Sequence, residues 1–228
     1  MRNAAITGAR TWWNKVRPFS PAEIVADGIV HAIGLVMAIA AGSVLLVFAA
    51  LQTAPEEFPA LVVYVGSLLG VLSISLAFNL WPVSPVKQAL ARLDQAAIFL
   101  FIAGTYTPFL AVMGNTPAAD LMTVLVWGAA IVGIALKLIV PERFGRMAIV
   151  LYLGIGWSGV LVFQTLAAIL PPTTLWLILA GGIAYSAGIA FHLWDRLKFQ
   201  NVLWHIFVVT GARLHLFAPL DLMVLSRL

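Results

Sequence analysis

The chain has 228 residues, of which 62% are hydrophobic and only 10% charged. Soluble domains are roughly a quarter charged, so this composition excludes an ordinary water-soluble globule and indicates a membrane protein. The net charge of +4 is no nucleic-acid signature, and the absence of cysteine excludes disulfides, thiolate metal sites and thiol nucleophiles.

In chain order, residues 1–22 form a basic arm with Arg2, Arg10, Lys15 and Arg17, and with Trp12 and Trp13 placed to rest in a membrane interface. The arm is long for the n-region of a signal peptide, and the apolar block after it is too long for an h-region. Residues 23–228 are expected to form one domain. Seven apolar blocks follow, each about the 20 residues a bilayer needs. They lie near 25–51, 58–82, 95–113, 119–140, 146–169, 173–193 and 202–224. The breaks between them are polar or rich in proline and glycine. Long blocks without alternation predict helices rather than barrel strands. The expected fold is therefore all-α, an integral membrane bundle of seven helices, with no internal repeat.

Lysine and arginine alternate between the connections. The segment after span 2 holds Lys87 and Arg92, Lys137, Arg143 and Arg146 flank the span 4–5 loop, and Arg196 and Lys198 follow span 6. The loops after spans 1, 3 and 5 have none. Positive charge stays on the cytoplasmic side, which predicts a cytoplasmic N-terminus and an outside C-terminus. Only Arg227 runs against the pattern.

Ionisable side chains within a span are costly and mark candidate functional positions. Span 1 opens with "EIVADGIVH", which sets Glu23, Asp27 and His31 four apart on one helix face. Span 2 places Ser75 and Asn79 near its cytoplasmic end. Asp94 and Gln95 are expected at the start of span 3, His192 and Asp195 at the end of span 6, and Asn201 and His205 at the start of span 7. Five spans thus bring polar groups to the same inner third of the membrane. Plainer roles compete: Asp94 as a helix cap, Glu23 as a partner of the helix dipole, Ser75 as a small packing residue, and Asn79 and Asn201 as interhelical hydrogen-bond glue. Arg213 and His215 lie further along span 7. Arg213 is read as snorkelling outward or lining a cavity. "GTYTPF" in span 3 contains Pro108, which should kink or loosen that helix, and "GIGWSG" in span 5 permits close helix contact. No P-loop, GxSxG or HExxH pattern is present.

Three stretches, "EIVADGIVHAIG", "LDQAAIFLFIAGTYTPF" and "FQNVLWHIFVVTGARLH", resemble the haemolysin III family, within the wider group of progestin and adiponectin receptors. The resemblance covers nearly the whole chain. It implies a zinc ion near the cytoplasmic face, held by the histidine of a span 2 Ser-x-x-x-His motif and by both histidines of a span 7 His-x-x-x-His motif. A span 3 aspartate lies beside it, and the chemistry implied is hydrolysis of a lipid amide.

Carried over, Ser75, Asp94 and His205 match. Asn79 and Asn201 stand where two of the three histidines would be, and Gln95 replaces a frequent histidine. An amide oxygen is a hard, neutral donor poorly suited to zinc. The resulting expectation is a polar cavity in the inner leaflet that binds a membrane lipid or amphiphile. Its pocket residues would be Glu23, Asp27, His31, Asn79, Gln95, Asn201 and His192. No metal cofactor and no nucleic-acid partner are expected, and no oligomeric state follows. One alternative is a metal-dependent lipid amide hydrolase with an altered ligand set. In it His205 and Asp94 serve the zinc, Asp94 and Ser75 are catalytic, and His31 or His192 is recruited. The other is a membrane-damaging protein. The expected home is a bacterial inner membrane.

Overall fold

The computed structural model describes residues 19–141 and 145–227. The basic arm with Trp12 and Trp13, and Arg143, therefore lie outside the described residues. The helices are α1 (Pro21–Gln52), α2 (Phe58–Leu80), α3 (Pro85–Met113), α4 (Pro117–Ile139), α5 (Gly145–Gly156), α6 (Phe163–Ile169), α7 (Pro172–His192) and α8 (Gln200–Met223). A 3₁₀ segment, Ser158–Val162, joins α5 to α6 within the fifth span. Seven stretches are long and apolar enough to cross a membrane. The outward faces agree with that reading: Val36, Val124 and Leu161 are 66%, 73% and 74% exposed, apolar surface that lipid rather than water must cover. Trp81 and Trp194 are exposed near the end that carries most of the lysine and arginine, here the basic end, and Trp176 near the other.

Helix starts follow from local chemistry. Ser20 caps α1 in a capping box with Glu23, and Pro21 occupies the first turn. Ser84 and Thr116 accept from Lys87 N and Ala119 N at the starts of α3 and α4, each followed by proline. The Ser84 cap changes the expected third span. "PVKQALARLD" is not a loop but the first turns of α3, so that helix starts ten residues before the expected 95. The segment is too polar for a hydropathy window and is helical because it is capped. Asp94 is consequently well inside a helix and caps nothing. Lys87, which reads as a loop charge, donates to the carbonyls of Asn79 and Trp81 at 3.3 and 2.8 Å and closes the end of α2.

α3 is the most enclosed span. One cluster of buried side chains joins it to α1, α2 and α8, and a second joins it to α4 and α5. Helices in lipid associate by close packing rather than by hydrophobic transfer. Gly104 of α3 lies where a Cβ would strike Ser67 of α2, and Gly34 of α1 where it would strike Val209 of α8. Spans 1 and 7 run parallel and side by side, with His31 level with His205 and Gly34 level with Val209.

Two backbone irregularities shape the interior. α3 runs on through Pro108. The fifth span breaks at Trp157, where a bare backbone would be costly within a membrane. Tyr106 of α3 satisfies it: its hydroxyl bonds the carbonyls of Ile155 and Gly156 at 3.0 and 2.7 Å and accepts from Gly159 N at 2.9 Å. Ser158 adds a bond to Ile155 O at 2.7 Å.

Candidate functional site

The stripe on α1 is buried: Glu23, Asp27 and His31 are 4%, 3% and 1% exposed. Such groups are tolerated only when paired, and the partners come from α2 and α8. His31 Nδ1 donates to the Asp27 carbonyl oxygen at 2.9 Å, one turn back. That fixes the tautomer, and Nε2 accepts from the Ser75 hydroxyl of α2 at 3.0 Å. The Asp27 carboxylate turns the other way. Its Oδ1 accepts from His205 Nδ1 at 2.6 Å, and its Oδ2 from Asn201 Nδ2 at 3.0 Å. Asn201 Nδ2 also reaches Asn79 Oδ1 at 3.2 Å, and Asn79 Nδ2 donates to Ser75 O at 2.9 Å. The His31 and His205 rings meet edge to face with centroids 4.1 Å apart. α1, α2 and α8 are thus tied by one continuous polar network.

The other candidates, Asp94, Gln95, Glu23 and His192, line the same cavity as the network but make their own contacts. Asp94 abuts Ser75 and lies within electrostatic range of His205 and Asp27. Gln95 accepts from Lys137 Nζ of α4, and its carbonyl accepts from Tyr152 of α5 at 2.7 Å. Glu23 accepts from Ser20 and from Phe199 N at 2.7 Å, so one carboxylate caps both α1 and α8. Phe199 needs that anchor: its φ of 57° is left-handed, an unusual setting for phenylalanine. His192 ends α7. Its carbonyl accepts from Gln200 Nε2 at 2.5 Å and its ring packs on Trp204, outside the His31–His205 cluster.

A cavity of about 410 Å³ adjoins the network. Asp27, Asn79, Asp94, Asn201 and His205 line its polar end, whereas His31 and Ser75 stand behind them. Its wall follows α3 from Asp94 to Tyr106, about 18 Å of helix. Beyond the first turns that wall is largely apolar, with Ile98, Phe101, Ile102, Leu153 and Ile189. Trp157, at the break of the fifth span, and Ser186 of α7 are joined across the cavity by an Nε1–H to Oγ bond of 3.0 Å.

Sequence reasoning read Lys137 only as an orientation charge, yet it is 1% exposed and lines the cavity. Its signal was visible: it is the one lysine within the apolar block 119–140. Tyr152 carried no sequence signal.

Seven apolar spans around a cavity with a buried histidine–carboxylate cluster at one end define a polytopic membrane protein with an intramembrane polar site. The chain belongs to the haemolysin III family: the family described as "Haemolysin-III related" matches residues 21–216. "Hemolysin-3" of Bacillus cereus is 33% identical over 198 residues, 87% of this chain and 90% of the relative. "Hemolysin-3 homolog" of Bacillus subtilis (strain 168) is 32% identical over 203 residues, 89% of this chain and 95% of the relative. The human "Monocyte to macrophage differentiation factor" is 28% identical over 134 residues, 58% of this chain and 55% of the relative.

The family resemblance implies a three-histidine zinc site. At two of its three positions stand Asn79 and Asn201, and Asn201 aims amide N–H groups at Asp27 and at Asn79. Those donors face the acceptors that a cation would need, so the three-histidine site does not fit. A different set is close enough to hold a metal. One ligand atom each from Asp27, His31 and His205 lies within 4.8 Å of the others. Two imidazoles and a carboxylate are a reasonable donor set for zinc.

Proposed function

We propose that the chain is an integral membrane protein that binds an amphiphile, its polar head at the Asp27–His205–Asn201–Asn79 network and its apolar portion along α3. The observation that carries this reading is the network itself. It engages the amides at the two positions where the family pattern has histidines in hydrogen bonds, and it stands at the polar end of a mainly apolar cavity. Volumes of 300–1,000 Å³ lined by apolar groups with a few placed polar atoms are the usual form of small-molecule sites. The two Bacillus relatives support a bacterial cell membrane as its location, and the lysine and arginine pattern supports a cytoplasmic basic end.

The Asp27–His31–His205 set favours a second reading, a metal-dependent hydrolase of lipid amides with a rebuilt ligand set. A metal held there would supply a water of pKa about 7 and a Lewis acid for a carbonyl. Asp94, on the cavity wall beside the cluster, is the residue placed to orient a nucleophile.

Elemental analysis and lipid mass spectrometry of detergent-purified protein separate the two. The first reading expects substoichiometric zinc and a co-purifying amphiphile that is lost when Ile102→Trp fills the cavity. Stoichiometric zinc, abolished by His205→Ala, overturns it. The double variant Asn79→His/Asn201→His should gain zinc if the backbone retains the family geometry.

A further inference from the structure

The outward face of α8 carries a charge that neither the cavity nor the fold uses. Ile206, Thr210, Arg213 and Phe217 are spaced as one helical stripe, and all four are exposed. Thr210 spends its hydroxyl on the Ile206 carbonyl at 2.8 Å. Arg213 makes no hydrogen bond or ion pair with any described residue. It stands 13 residues into a helix of 24 residues, about 20 Å along roughly 36 Å, so it lies close to mid-depth of the bilayer. Arginines at that depth normally face a bundle interior or a partner. This one borders a shallow groove between α1 and α8, edged by Gly34, Ala38 and Ala41 and floored by Leu68 and Leu72 of α2. The groove is distinct from the large cavity, which uses Asn201, Trp204, His205 and His215 of α8.

We propose that this groove docks a membrane-spanning helix of another protein that carries an aspartate or glutamate near its midpoint, with Arg213 as the counter-charge. Two observations choose that occupant. Lipid phosphates lie about half of a 30 Å hydrocarbon layer away, beyond the reach of an arginine stem from mid-depth. A second copy offers no counter-charge: the exposed carboxylates among the described residues, Glu56, Asp120 and Asp195, all sit in loops or a first turn.

The test uses the full chain in phosphatidylcholine vesicles, labelled through Gln52→Cys, which is unique because the chain has no other cysteine. Energy transfer reports association with a leucine-rich transmembrane peptide bearing one central glutamate, against a twin with leucine there. The glutamate peptide should bind about tenfold more tightly. Arg213→Leu should abolish the preference with thermal stability retained, since it removes an exposed charge and opens no cavity. Arg213→Glu should shift the preference to a central-lysine peptide. Equal binding of both peptides overturns the proposal, as does a preference that survives Arg213→Leu. So does stronger transfer between two copies of the chain than to the peptide, or binding that appears only with anionic lipid.

Discussion

Tyr106→Phe isolates one oxygen atom that holds a broken span together. The hydroxyl is the acceptor for Gly159 N and the donor available to Gly156 O, and it is shared with Ile155 O. Ser158 still covers Ile155 O in the variant. Two backbone groups, the Gly156 carbonyl and the Gly159 amide, then lose their partner. An unsatisfied buried polar group costs about 1–3 kcal/mol. Tyr106 borders the cavity, where water can partly replace it, so the low end applies and the expected loss is about 2 kcal/mol. Phenylalanine keeps the ring and its packing, so no cavity term is added. Equilibrium unfolding of the purified protein in mixed detergent micelles measures the difference. A loss below about 0.5 kcal/mol, within the range of an ordinary surface change, would refute the idea that this hydroxyl sustains the break. Ser158→Ala should cost less, because Tyr106 remains on Ile155 O.

Asp27→Asn leaves one carbonyl oxygen to serve both His205 Nδ1 and Asn201 Nδ2. It should destabilise by about 1–3 kcal/mol in the same assay, while the His31 bond to the residue 27 backbone is unaffected. Gly104→Ala drives a methyl into Ser67 and towards the Val63 carbonyl and should cost about 1–3 kcal/mol as α2 and α3 part. The Arg227 guanidinium holds the Glu57 carboxyl below its ordinary value. A depressed carboxyl contributes stability above its unfolded pKa and loses it as pH falls through the folded value. The melting temperatures of wild type and Arg227→Gln should therefore differ slightly at pH 7 and converge in acid, and added salt should shrink the gap.

Much of this architecture can be read from local pattern. Seven apolar blocks locate the spans because hydrocarbon demands length and apolarity, and little else. The four-residue spacing of Glu23, Asp27 and His31 places them on one face whatever the tertiary fold. What a residue pairs with is set by neighbours distant in sequence, and there the reading fails. Glu23 reads as a dipole partner of its own helix, whereas it also caps α8. Gln95 lines the cavity, but its pairing with the buried Lys137 of α4 has no trace in the local pattern. The early start of α3 is hidden because its first turns are polar, and the break in span 5 is hidden because hydropathy does not register hydrogen bonds. Asn79 and Asn201 are the instructive pair. Their identities argue against three-histidine zinc, but only the packing of α8 on α2 brings the two amides into a bond with one another.

The closure of α1 against α8 also bears on biogenesis. Ribosomal synthesis delivers Glu23, Asp27 and His31 first and Phe199, Asn201 and His205 last. Through most of translation the first span therefore offers the bilayer a carboxylate whose hydrogen-bonding side chains, Asn201 and His205, are still unmade. A chain interrupted before residue 199 would leave the Asp27 carboxylate without either of its hydrogen-bonding side-chain partners.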